Sequence, residues 1–69
     1  MTPVKSDSIA AVKHDPSSRT LTVQFKNGGV YRYAGVPADQ HATLMRADSI
    51  GTHFHNNIRP NFKAEKVTR

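Results

Sequence analysis

The sequence predicts an α+β domain: a three-stranded antiparallel β-meander followed by two short helices packed on one face of the sheet. Three observations predict it. "TLTVQFK" (20–26) alternates apolar and polar residues, "NGG" (27–29) is a hairpin turn leading into "VYRY", and from Val36 onward the apolar spacing becomes helical. A run of strands followed by a run of helices stacks as two layers around one core.

The elements follow in order. Residues 1–7 read as a flexible lead-in. "SIAAVKH" from Ser8 is a strand with two undistinguished faces, Ile9, Ala11 and Lys13 against Ala10, Val12 and His14. "DPSSR" is dense in turn formers. In the next strand Leu21, Val23 and Phe25 point one way and Thr22, Gln24 and Lys26 the other. The hairpin has two registers. A two-residue Asn27-Gly28 turn puts Arg32 on the apolar side. A three-residue Asn27-Gly28-Gly29 loop, with Gly29 left-handed, pairs Lys26 with Val30 and Phe25 with Tyr31, and sends Arg32 to the open face. A one-residue slip swaps every side chain to the other face. The second register is the expectation, because the first buries an unpaired guanidinium at a cost of several kcal/mol, roughly. Tyr31 and Tyr33 then face the core.

Pro37 suits a helix start, and Val36, His41, Leu44 and Met45 form its buried stripe. Ser49 is the N-cap of a second helix whose Ile50, Phe54 and Ile58 share one face, and Pro60 stops it. The domain is thus expected over 8–59, with 60–69 a polar basic tail anchored by Phe62.

Composition bounds the function. Sixty-nine residues with 36% hydrophobic content make one small domain with a modest core. The absence of cysteine excludes disulfides, thiolate metal sites and a cysteine nucleophile. No apolar run approaches a membrane span or a signal peptide, so a soluble cytoplasmic protein without a membrane partner is expected, taken as a monomer. Ten Lys and Arg against five acids give +5, a surplus that attracts polyanions or an acidic protein surface.

The residues Leu21, Val23, Phe25, Asn27, Gly28, Tyr31, Tyr33, Val36 and Pro37, followed by Ala47, Ser49, Gly51, Phe54, Ile58 and Arg59, resemble the KTSC domain family. That family is named for its place at the C-terminus of some lysyl-tRNA synthetases, and it also occurs as short stand-alone bacterial or phage-type proteins. The resemblance runs from about Ser8 to Arg59 and implies RNA binding through the synthetase connection. The sequence departs from the family pattern at Lys13-His14, where Gly-Tyr is common, at His41, where an aromatic is common, and at Ile50, often basic.

No metal, cofactor or catalytic site is expected. His53 and His55 stand two apart on a helix, where side chains point to nearly opposite sides, and zinc sites want i, i+4 spacing or convergent loops. Asp7, Asp15, Asp39 and Asp48 sit at turns or helix starts, where capping accounts for them. The expected function is a non-catalytic nucleic-acid-binding module, with RNA as the leading partner. Lys26 and Arg32 on the open sheet face, and Arg59, Lys63 and Lys66 from the C-terminal segment, would neutralise phosphates, with Lys13 and Arg69 as further basic groups nearby. The open face carries no acid in this reading. The alternative is a protein-interaction module, such as a phage-type regulator docking on transcription or translation machinery (RNA polymerase, for example) with an exposed Ile50 as its anchor.

Overall fold

Burial follows the alternation of the central strand: Leu21 and Val23 are fully buried, whereas Thr22 and Gln24 are only partly covered. The computed structural model describes residues 2–3 and 8–67. It contains strands β1 (Thr2–Pro3), β2 (Ile9–Asp15), β3 (Thr20–Phe25), β4 (Val30–Tyr33) and β5 (Ala64–Lys66), with helices α1 (Ala38–Arg46) and α2 (Ile50–His53) between β4 and β5. The sheet is antiparallel throughout, in the order β1-β2-β3-β4-β5. Both helices lie on one face. Leu44, Ile50, Phe54 and Ile58 close a core with Ile9, Val12, Leu21, Val23, Tyr33 and Val36.

The α+β architecture and the central meander are as the sequence predicts; the edges are not. Thr2–Pro3 pairs with β2, so the lead-in is not wholly loose; the rest of 1–7 lies outside the described residues. The 60–69 segment is not a free tail. Ala64–Lys66 pairs with β4, the Val67 N–H reaches the Val30 carbonyl at 2.8 Å, and Phe62 packs against the core. Arg69 lies outside the described residues. A three-residue edge strand in polar sequence has no apolar alternation to announce it, because its backbone does the pairing.

A bulge explains why "SIAAVKH" has no apolar face. The register of β2 against β3 shifts between Ile9, opposite Phe25, and Ala11, opposite Gln24. The extra residue brings Ile9 to the same side as Val12, and both are fully buried.

The hairpin keeps the predicted faces but not the predicted pairing. Phe25 and Gly29 close it, with the Phe25 N–H bonded to the Gly29 carbonyl at 2.8 Å, and the loop is Lys26-Asn27-Gly28. Val23 therefore faces Tyr31 and Leu21 faces Tyr33, while Thr22 faces Arg32. Sliding the same three-residue loop back by one residue shifts the register by two, which leaves every side chain on its face. The left-handed residue is Gly28, at φ +98°, and not Gly29. Asn27 supports the turn by accepting the Gly29 N–H on its side chain at 3.0 Å.

The Pro37 carbonyl accepts the N–H groups of Gln40 and His41 at 3.1 and 3.3 Å, opening α1. The Ser49 hydroxyl caps α2 by accepting the Thr52 N–H at 3.4 Å. Beyond His53 the helix widens into a π-helical turn, Phe54–Ile58, in which the Arg59 N–H bonds to the Phe54 carbonyl at 2.9 Å. Ile50, expected as an exposed anchor, is only 9% exposed and belongs to the core. It shares a face with Phe54 and Ile58, so it turns inward with them.

Candidate functional site

The five basic residues singled out from the sequence do not form one patch. Residues directly opposite in an antiparallel pair share a face. Arg32 stands opposite Thr22 and Glu65, on the side away from the helices. Glu65 arrives there on β5, and its carboxylate pairs with the Arg32 guanidinium at 3.3 Å. Two half-open hollows, of about 470 and 220 Å³, meet at Arg32. One is lined by Thr20, Ala34, Lys63 and Glu65, the other by Lys13, Asp15, Ser18 and Thr22. The expectation of an acid-free open face therefore fails. It fails because the C-terminal segment is a strand whose alternation lays Glu65 across from Arg32.

Lys66 pairs with Tyr31 and so points to the helix side of the sheet. There, between the β4–β5 edge and the π-helical turn, lies a cleft of about 420 Å³ lined by Phe25, Asn27, Tyr31, Tyr33, Phe54, His55, Arg59 and Ala64. The wider turn inserts one residue more than an α-turn between Phe54 and Arg59. The guanidinium consequently emerges over the Phe54 side, where the cleft is. Lys26 is exposed in the hairpin loop beside Asn27.

The floor of the cleft is structural: Phe54 is fully buried and Tyr33 is 3% exposed. Its walls, Phe25 and Tyr31, are half-buried, and His55 is exposed. The rings meet edge to face. Phe25 contacts Tyr31 and Phe54 with centroids 5.7 Å apart in each case, Tyr33 contacts Phe54 at 5.1 Å, and Phe54 contacts His55 at 5.7 Å. Burial pushes the Tyr33 phenol above its ordinary pKa; the Arg59 charge pulls it back, and Tyr31 adds a further upward push. Arg59 and both tyrosines thus act on one spot electrostatically. No carboxylate lines the cleft, and Arg59 makes no ion pair among the described residues.

Two further histidines lie along α2 and the π-helical turn, where the His53 Nε2 is buried without a hydrogen-bond partner among the described residues. His53 meets the Asn57 amide at 3.3 Å through Nδ1, and His55 lies over Phe54. No cluster of three His, Asp or Glu side chains suited to a metal ion occurs among the described residues. No helix among them is long and apolar enough to cross a membrane.

A short α+β domain with Tyr31 half-buried, Tyr33 buried and an Arg at the end of the π-helical turn that follows its second helix defines a recognisable class. The KTSC domain family model matches residues 5–62, and this chain belongs to that family. A crystal structure of a KTSC domain protein from Yersinia pestis superposes with a TM-score of 0.93 at 37% identity, covering 97% of this chain and 94% of that one. An uncharacterized protein of Stutzerimonas stutzeri (strain A1501) is 37% identical over 57 residues, 83% of this chain and 80% of the relative. A lysine–tRNA ligase of Nostoc sp. (strain PCC 7120) is 37% identical over 60 residues, which is 87% of this chain but only 11% of the ligase.

Two of the departures from the family pattern prove to be a single feature. His14 on β2 and His41 on α1 stack in parallel, with centroids 5.0 Å apart and ring planes 11° apart. His14 also donates its Nε2–H to the Val36 carbonyl at 2.7 Å. The imidazoles replace aromatic packing with a stacked pair that joins helix to sheet.

Proposed function

We propose that this KTSC domain is a non-catalytic RNA-binding module of the cytoplasm, and that it binds along the aromatic cleft rather than across the open sheet face. The single observation that carries this reading is the composition of the cleft. It combines aromatic rings with Arg59 and is lined by no carboxylate among the described residues, while Lys66 stands beside Tyr31 on the same face. Single-stranded nucleic acid is held by that combination: cations track the phosphates and rings receive the bases. The open face offers less. Its central guanidinium is 52% exposed and already shares its charge with Glu65. The similarity to a segment of a lysine–tRNA ligase points to the same class of partner.

Arg59, Lys66 and Lys26 then neutralise about three phosphates, which gives a slope of log K against log[salt] near −2 for a single strand, at about 0.7 per phosphate. Fluorescence titration of a labelled RNA at several salt concentrations tests this. Arg59→Ala is expected to flatten the slope by about 0.7, and Arg32→Ala to leave it nearly unchanged. Absence of binding at low salt would sink the RNA reading and leave an acidic protein surface as the partner.

A further inference from the structure

The wall and floor of the cleft differ in a way that bears on what enters it. Tyr33 and Phe54 are committed to the core, but Tyr31 and His55 each make a single edge-to-face ring contact at the rim. Neither is sandwiched, so each retains a ring face without an aromatic partner. Polar groups converge on the same space. Asn27 uses its carbonyl oxygen on the Gly29 N–H at 3.0 Å, which leaves its amide donors unpaired among the described residues. Arg59 adds further donors and a positive charge. At about 420 Å³ the cleft falls at the small end of ligand pockets, which run from about 300 to 1,000 Å³. It is a half-open hollow, about as open as the two that meet at Arg32, and its aromatic lining is what sets it apart from them.

We propose that the cleft takes one unpaired base, stacked on Tyr31 with its polar edge toward Asn27 and its phosphate at Arg59 or Lys66, so that the protein selects single-stranded or bulged RNA over duplex. This rests on the RNA-binding reading above and specifies its ligand. A base within a duplex is stacked on both sides and paired on its edge, so it cannot lay a free face and a free edge in the hollow together. A looped or bulged base is free to turn out. The phosphates flanking such a base would meet Arg59 in the lining and Lys66 on the strand beside Tyr31, with no acid in the lining among the described residues.

The test uses the full chain and three labelled probes: a single-stranded oligoribonucleotide, the same strand in a perfect duplex, and that duplex with a one-nucleotide bulge. Single-stranded and bulged probes are expected to bind about tenfold more tightly than the duplex, the order expected of one stacked base. Tyr31→Leu should abolish that preference while leaving duplex affinity and salt slope in place, and Tyr31→Phe should restore it. Because Tyr31 also packs against the core, His55→Ala at an exposed position serves as a second variant, with a several-fold loss on the single-stranded and bulged probes only. Equal affinity for all three probes with the salt slope retained would overturn the base-insertion proposal and leave RNA binding standing. Absence of binding to every probe would overturn both.

Discussion

On the open side of the sheet, Arg32 sits among Thr22, Lys13, Asp15, Lys63 and Glu65; on the other side, Arg59 sits among Phe25, Tyr31, Tyr33, Phe54 and His55. Both guanidiniums are exposed, yet their surroundings differ. Arg32 has a carboxylate at 3.3 Å and neighbours of both signs, the composition of a solvated face that keeps an edge soluble. Arg59 has rings and, among the described residues of the cleft, no acid. Net charge therefore says little about where a polyanion would settle. What decides is whether the strand that supplies the cations also supplies acids on the same face. Here β5 alternates Glu65 to one side and Ala64 and Lys66 to the other.

The largest expected effect comes from the floor of the cleft. Phe54→Ala removes a fully buried ring that touches Phe25, Tyr33 and His55, and should destabilise the fold by about 3–5 kcal/mol in denaturant unfolding. A loss below about 1 kcal/mol would mean that the cleft has no rigid floor.

The hairpin gives the next effect. Gly28 holds φ +98° with open space where a Cβ would stand, so Gly28→Ala should cost about 1 kcal/mol from backbone strain alone. Gly29→Ala is different in kind. Its Cβ would lie 3.3 Å from the Asn27 Oδ1 and 3.4 Å from a Tyr31 ring carbon, both on the cleft wall. It should cost less in thermal unfolding than Gly28→Ala but disturb RNA affinity more. The reverse order of stability losses would place the left-handed residue at Gly29 after all.

Much of this geometry was legible in the sequence, and the limits are instructive. The alternation in "TLTVQFK" and the cost of burying Arg32 were enough to put Tyr31 and Tyr33 on the core side. Parity survives a two-residue error in register. The identity of the left-handed glycine does not, because adjacent glycines differ only in which one closes the loop. The cleft was hidden for a different reason. Phe25, Tyr31, Tyr33, Phe54 and Arg59 were all visible as family-pattern residues, but their convergence depends on a π-helical turn and on a three-residue edge strand. Neither has a periodicity to read. Glu65 and Lys66, adjacent in sequence, fall on opposite faces, so a "basic tail" was two half-sites with opposite roles.

The stacked histidines predict a smaller, pH-dependent effect away from both faces. Burial, with a contribution from the His14 charge, lowers the His41 pKa below its ordinary 6.5. The unfolded chain then binds this proton more tightly than the folded one. The His41 contribution costs nothing well above pH 6.5, and stability falls as the pH drops below about 6.5 and through the lower folded value. Thermal midpoints measured across that range should decline toward acid, and His41→Gln should flatten the decline. An unchanged slope in the variant would assign the acid sensitivity to other groups.

The smallest effect belongs to the open face. Arg32→Ala and Glu65→Ala remove an exposed pair, 52% and 75% exposed, and each should change stability by no more than about 0.5 kcal/mol. A larger loss in chemical denaturation would show that the pair secures β5 to the sheet, and with it one wall of the cleft.

The measurement that separates the two faces most directly is amide chemical-shift mapping of the isotopically labelled protein during titration with single-stranded RNA. Perturbations are expected at Asn27, Tyr31, His55, Arg59 and Lys66 around the cleft, with Lys13, Thr22 and Arg32 nearly unmoved. Perturbations centred on Lys13, Thr22, Arg32 and Lys63 would contradict this and return the binding surface to the open face of the sheet.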